Sequence, residues 1–159
     1  MVLDADALNI IAKENWQKLI PKGSIITPHH KEFERLFGKT ENDFQTNELQ
    51  RKMSQELEIT IVLKGSHTSV TMSDGSCFFN STGNPGMATG GSGDVLTGVI
   101  TGLLAQGYMP EEAAVLGVYA HGLAGDHAVK KVGEYSLIAS DIIDNLGVAF
   151  LEIEGIHGT

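Results

Sequence analysis

Cysteine is almost missing: Cys77 stands alone among 159 residues. No internal disulfide can form, and the composition suits a reducing compartment. Its setting, Cys77-Phe78-Phe79, has β character, which predicts a buried, inert thiol rather than a nucleophile. Positive charge is also scarce, with 11 Lys and Arg against 20 Asp and Glu and a net charge of −9. Without a basic field there is nothing to steer the chain toward nucleic acid or an anionic membrane, so neither is expected as a main partner. Lys13, Lys18, Lys22, Arg51, Lys52, Lys130 and Lys131 are scattered and read as solvated surface. No apolar run approaches a membrane span, and Met1-Val2-Leu3-Asp4 carries no signal-peptide pattern. The expected compartment is the cytoplasm. What remains is an ordinary globular composition, 42% hydrophobic and 19% charged, in a length that suits one domain, residues 1–159, with a proper core.

Hydrophobic periodicity divides the chain into alternating strands and helices. Val2-Leu3 ends a buried strand. Leu8, Ile11, Ala12, Trp16 and Leu19 recur at helical spacing and predict a helix from about Ala7 to Leu19, stopped by Pro21-Lys22-Gly23. Ser24-Ile25-Ile26 is a short strand closed by Thr27-Pro28. A helix over His30 to Phe37 ends at Gly38, and a polar helix covers about Glu48 to Leu57. Ile59 to Leu63 is a buried strand. Ser69 to Met72 and Ser76 to Phe79 flank Asp74-Gly75 and predict a hairpin with a tight turn. Helices are then predicted from about Gly93 to Ala105, from Pro110 to about Lys131 and from Asp141 to Phe150, the last capped by Ser140. The small residues Ala113, Ala114, Gly117, Ala120 and Ala124 suit close helix packing, and Gly98, Gly102 and Gly107 are assigned the same role. The pattern is α/β, with a mostly parallel sheet and one antiparallel hairpin.

Ligands bind such sheets at the carboxyl ends of the strands. Four segments qualify there: Asp4 to Asp6, Thr27 to His30, Lys64 to Thr68, and the loop before Asp94. The loop, Gly83-Asn84-Pro85-Gly86-Met87-Ala88-Thr89-Gly90-Gly91-Ser92-Gly93-Asp94, carries the most chemistry. Eight of the 19 glycines lie between Gly83 and Gly107. Gly90, Gly91 and Gly93 leave backbone N–H groups uncovered at a helix start, where amides and helix dipole favour a phosphate. No Lys follows the last glycine, which separates the loop from the Walker pattern, and no strand precedes Gly90 as the dinucleotide fingerprint requires. Asp94 heads an apolar helix, Val95-Leu96-Thr97-Gly98-Val99-Ile100, and is placed to take a proton from a hydroxyl attacking a phosphoryl group. The bland alternative is a flexible loop with a favourable first-turn carboxylate.

Lys64-Gly65-Ser66-His67-Thr68 suits nucleotide phosphate or ribose, with a strand turn and an exposed Lys as the simpler reading. His29 and His30 beside Glu32 suggest a metal at first sight, but no partner spacing supports zinc, and ligand contact or helix capping fits better. Asp4 or Asp6 could face the site and help hold Mg²⁺ through water, while Asp6 equally suits capping of the helix at Ala7. His121 and His127 read as ordinary helix residues, and His67 and His157 are dispersed.

In this order, Asp4-Ala5-Asp6-Ala7-Leu8-Asn9, Thr27-Pro28-His29 with Glu32-Phe33, Val62-Leu63-Lys64-Gly65 and the Asn84-to-Gly98 loop resemble segments of the ADP/ATP-dependent NAD(P)H-hydrate dehydratases of the ribokinase-like superfamily. The resemblance implies a three-layer ribokinase-like sandwich of the carbohydrate-kinase type. It also implies repair of NADH and NADPH hydrates (NADHX and NADPHX) by phosphorylation of the C6 hydroxyl with ADP or ATP, followed by loss of phosphate, with Mg²⁺ bridging phosphates on few protein ligands. By the same resemblance Asp94 is the catalytic base and a substrate contact, and His29 is a second substrate contact. Lys64, Gly65, Ser66, His67, Thr68 and Gly93 contact the nucleotide, and Gly90, Gly91, Ser92 and Gly93 form the anion hole. Family members carry a front half before the Asp-Ala-Asp segment, so the chain is expected to be the back portion of the domain, with Val2-Leu3 as an open edge and self-association as a way to cover it. Two other functions share these features: a ribokinase-like kinase of a sugar or vitamin-precursor hydroxyl, and a non-catalytic nucleotide-binding subunit.

Overall fold

The computed structural model describes residues 1–155, so His157 lies outside the described residues. Five strands, β1 (Val2–Leu3), β2 (Ile25–Ile26), β3 (Thr60–Leu63), β4 (Ser69–Thr71) and β5 (Cys77–Phe79), form one sheet in that order. The first three run parallel and the last two turn back antiparallel. Helices α1 (Asp6–Glu14), α2 (His30–Phe37) and α3 (Asp43–Leu57) pack on one side, and α4 (Ser92–Ala105), α5 (Pro110–Val132) and α6 (Ala139–Ile153) on the other.

Strand alternation builds the three layers. Ile25, Val62 and Val70 face Leu96, Ile100 and Leu103 of α4 and Ala113, Ala114 and Val118 of α5. Ile26, Ile61 and Leu63 face Leu8, Phe33 and Leu36. A third cluster joins α5 to α6 through Ala124, Ala128, Ile142 and Ala149.

Several boundaries differ from expectation, each for a physical reason. Helix α1 stops at Asn15, which adopts a left-handed conformation (φ 57°). Trp16 and Leu19 therefore leave the helical stripe and lie 47% and 71% exposed. Asp6 is the first residue of α1 rather than its cap; Ala5 takes the cap position, with φ 48° and no side-chain bond. Helix α3 begins earlier than the periodicity suggested, because the Asn42 side chain accepts the Gln45 N–H at 3.0 Å. Its polar residues also point inward. Buried Gln50 donates to the Ile61 and Ser69 carbonyls, and Ser54 donates to those of Ile59 and Thr71. Helix α6 starts at Ala139 with Ile138, not Ser140, in the cap position, and Asp141 in its first turn reaches back to accept the Ile138 N–H at 2.9 Å. The β4–β5 connection runs from Met72 to Ser76, and its loop has three residues, Ser73 to Gly75. Met72 N–H bonds the Ser76 carbonyl at 3.0 Å and Gly75 supplies the positive φ of 86°, the bulged form of hairpin. Cys77 is only partly buried, and its Sγ accepts a hydrogen bond from Asn47 Nδ2 at 3.2 Å.

Candidate functional site

The strand ends meet. Lys64 N–H donates to the Pro28 carbonyl at 2.8 Å, which sets the end of β3 beside His29. Lys64 Nζ then reaches Asp4 Oδ1 at 2.7 Å, and Thr97 of α4 donates to Asp4 Oδ2 at 2.9 Å. Both carboxylate oxygens are thus engaged, joining the ends of β1 and β3 to the first turns of α4. Burial opposes ionisation of Asp4, but the Lys64 hydrogen bond and charge, with Thr97 and the Ala5 backbone, outweigh it and hold its carboxyl below the ordinary 3.8. Asp4 therefore keeps Lys64 at the cavity edge. A Cβ placed on Gly93 would lie 3.5 Å from Lys64 Nζ, so the ammonium stands close to the glycine loop.

His29 caps α2. Its Nδ1 accepts N–H groups of Lys31 and Glu32 at 3.1 and 3.3 Å, and Glu32 Oε2 accepts the His29 N–H at 2.8 Å. The imidazole remains half-exposed next to the end of β3. His30 lies over Gly65, whose added Cβ would be 3.0 Å from His30 Nε2.

The loop reaches the head of α4 by a 3₁₀ turn, Pro85–Met87, and a left-handed Gly91 at φ 88°. A side chain at Gly91 would be strained there and would also meet Ala139 at 3.1 Å. Among the described residues the amides of Gly90, Gly91, Gly93 and Asp94 donate to no protein acceptor, whereas Ser92 N–H is used on the Thr89 carbonyl at 3.3 Å. Three of the four amides read as an anion hole are thus free, and that of Asp94 joins them. A cavity of about 810 Å³ opens beside them, bounded by Lys64 to Thr68 on one side and by Asn84, Ser92 and Gly93 on the other. Asp94 is exposed and lines not this cavity but a more apolar groove along α4 and α6.

Gly98 and Gly102 line that groove and touch nothing, so they do not serve close packing as the sequence suggested. Gly117 does, against Ile100. His121 is a helix residue as read, but it also borders the cavity. It is 9% exposed and faces Ser92 Oγ at 3.4 Å. Burial lowers its pKa to about 4 against the pull of a hydrogen bond with Ser92. His127 meets Glu152 at 2.8 Å, away from the site. Sequence reasoning missed Asp126 as well, whose carboxylate accepts Gly83 N–H at 2.9 Å and Asn84 Nδ2 at 3.0 Å. No group of three or more His, Cys, Asp or Glu side chains is placed to hold a metal among the described residues. No described helix is long and apolar enough to cross a membrane.

Free amides at a helix head, a neighbouring ammonium and an exposed first-turn carboxylate can bind a phosphoryl group and deprotonate a hydroxyl beside it. Residues 1–147 match the Carb_kinase family model, described as NAD(P)H-hydrate dehydratase. The chain is 43% identical over 156 residues to a bifunctional NAD(P)H-hydrate repair enzyme of Moorella thermoacetica, covering 96% of this chain and 29% of that protein. It superposes with TM-score 0.82 and 34% identity on the ADP/ATP-dependent NAD(P)H-hydrate dehydratase of Bacillus subtilis co-crystallised with ATP and Mg²⁺, covering 95% of this chain and 54% of that one. A ribokinase-like protein of Enterococcus faecalis gives TM-score 0.78 and 32% identity, with 95% and 52% covered. The chain thus has the ribokinase-like α/β fold and spans about half the length, or less, of these relatives.

Proposed function

The chain belongs to the NAD(P)H-hydrate dehydratase family, and we propose that it carries out ADP- or ATP-dependent dehydration of NADH and NADPH hydrates. The reading rests on one observation: four free amides lie at the head of α4, with Asp94 in its first turn. In this reading the terminal phosphoryl group rests on the amides of Gly90, Gly91, Gly93 and Asp94. Each such donor, once aimed at developing charge, contributes about 3–4 kcal/mol to a transition state. Lys64 neutralises a phosphate oxygen, and Gly65 to Thr68 with Gly93 border the nucleotide. His29 and Asp94 contact the hydrate.

Asp94 takes the proton of the C6 hydroxyl as its oxygen bonds to phosphorus and the bridging P–O bond of the nucleotide breaks. The C–O bond then breaks with loss of phosphate, the neighbouring ring carbon gives up a proton, and the double bond returns. Phosphate leaves far more readily than hydroxide, which is what the nucleotide contributes.

The donor set fits a Mg²⁺ that arrives on the nucleotide rather than one caged by protein. Asp4 has both oxygens engaged, and Asp94 would be the carboxylate left to help hold the ion beside the phosphates. Bound Mg²⁺ would supply charge neutralisation on the phosphates. The proposal further takes residues 1–159 as the back portion of one ribokinase-like domain, acting in the cytoplasm as a homo-oligomer.

The test is to incubate the protein with hydrated NADH and ADP or ATP and follow the return of reduced-nicotinamide absorbance. Restored absorbance with stoichiometric nucleotide consumption is expected. Unchanged hydrate alongside phosphorylation of a sugar or pyrimidine alcohol would make the protein a kinase instead.

A further inference from the structure

We infer that Asp126 is a positioning residue, a carboxylate clamp on α5 that shapes the glycine loop into an anion site. The inference rests on the reading of the α4 head as a phosphoryl site. Loop and clamp are far apart in sequence, with separations of 43 and 42 residues for the bonds to Gly83 and Asn84. One carboxylate oxygen accepts the Gly83 N–H at 2.9 Å and the other accepts Asn84 Nδ2 at 3.0 Å. Charge-assisted bonds of this kind are about twice as strong as neutral ones and fix direction as well as distance.

The surrounding face of α5 is cut to receive the same segment. A Cβ on Gly122 would lie 2.2 Å from Thr82 Oγ1 and 2.8 Å from the Thr82 carbonyl carbon. One on Gly125 would lie 2.2 Å from Met87 Sδ. Thr82 also donates to the Tyr119 carbonyl at 2.9 Å. Tyr119, Gly122, Gly125 and Asp126 fall at i, i+3, i+6 and i+7, one stripe of a helix. On that stripe the glycines seat the chain before and after Asn84, and Asp126 pins the residues between.

Beyond Asn84, the loop's own backbone bonds are the short-range ones from Met87, Ala88 and Ser92 to Asn84, Pro85 and Thr89. They close local turns but do not orient the loop against α4. The clamp and its glycine seat supply that orientation, so the free amides of Gly90, Gly91, Gly93 and Asp94 face one anion site. The Lys64 to Thr68 wall of the cavity owes nothing to Asp126 and should keep its shape without it.

The experiment compares binding of ADP and of adenosine to the protein and to its Asp126→Ala and Asp126→Asn variants by calorimetry, with turnover and urea unfolding alongside. Loss of the clamp should weaken ADP about tenfold or more while adenosine changes less than about twofold. In turnover kcat should fall more than the nucleotide KM rises. Asp126→Asn keeps one acceptor and should fall between wild type and Asp126→Ala, which keeps the test decisive if the alanine variant unfolds. An unchanged ratio of ADP to adenosine affinity, or equal weakening of both with lowered stability, would overturn the positioning role. If the wild-type protein binds ADP but leaves the hydrate untouched, the dehydratase reading fails while the binding ratios still judge Asp126.

Discussion

His121 gives the pH dependence that follows most directly from the structure. The ring is buried among α4, α5 and the glycine loop, and its pKa falls to about 4 from an ordinary 6.5, chiefly through burial. The unfolded chain then binds a proton between pH 6.5 and 4 that the folded chain refuses. The contribution of this group is fully present above pH 6.5 and is lost as pH falls toward 4. The gap between the two values, at about 1.4 kcal/mol per pH unit, corresponds to about 3 kcal/mol in total. About 2 kcal/mol of it should be gone by pH 4.5.

His121→Leu removes the titration and gives up only a long contact to Ser92 Oγ, at 3.4 Å. Urea unfolding of both proteins from pH 7.5 to 4.5 isolates the effect, because other titrating groups cancel in the difference. The two should lie within about 1 kcal/mol of each other at pH 7. The histidine protein should then lose about 2 kcal/mol relative to the leucine variant by pH 4.5. A difference that stays flat across that range, or an imidazole titrating near 6.5 by NMR, would refute a neutral buried His121.

Three further outcomes are expected. Asp4→Asn should cost about 1.5–3 kcal/mol at neutral pH, the range for a hydrogen bond to a charged group. The Asp4 pKa is depressed, so the deficit should be present above the ordinary 3.8 and shrink as pH falls through the lower folded value; urea midpoints with a Lys64→Met double-mutant cycle measure it, and zero coupling would dismiss the pair. Gly122→Ala should destabilise by about 1–3 kcal/mol despite the better helix propensity of alanine, because the new methyl meets Thr82 backbone; a thermal melt at or above wild type would show that the seat has slack. Asp94→Asn should abolish turnover while leaving ADP affinity within about threefold of wild type, and retained turnover would remove Asp94 from the base role.

The sheet was legible because its strands are short apolar runs: Val2-Leu3, Ile25-Ile26 and Thr60 to Leu63 all pair as read. Helix α2 was legible to the residue, since an N-capping histidine with Glu32, then Phe33 and Leu36, then Gly38, carries every local signal. Errors arose where a local rule met a distant partner. Helix α3 was read only as polar and as starting near Glu48, whereas its Gln50 and Ser54 satisfy carbonyls of β3 and β4. Periodicity alone extended α1 through Leu19, although Asn15 tolerates the left-handed conformation that ends it.

Within the site the same contrast separates what could be read from what could not. Gly90, Gly91, Gly93 and Asp94 announce themselves because their chemistry is local: uncovered amides at a helix start need only a short run of sequence. Ala113, Ala114, Gly117, Ala120 and Ala124 of α5 were taken as helix packing, which holds for Gly117 against Ile100, but Gly122 and Gly125 were not singled out. These two receive the loop instead. Nothing in a helical stripe of small residues says whether its partner is a helix or an irregular segment. Asp126 is the discriminating residue: a carboxylate on an otherwise small-residue face needs donors, and an irregular segment has spare N–H groups where a helix has few. A small-residue stripe carrying one carboxylate is thus better matched to a loop than to another helix. For this chain the loop segment is Gly83 and Asn84, which Asp126 ties to α5, and with them the orientation of the amides on which the proposed chemistry depends.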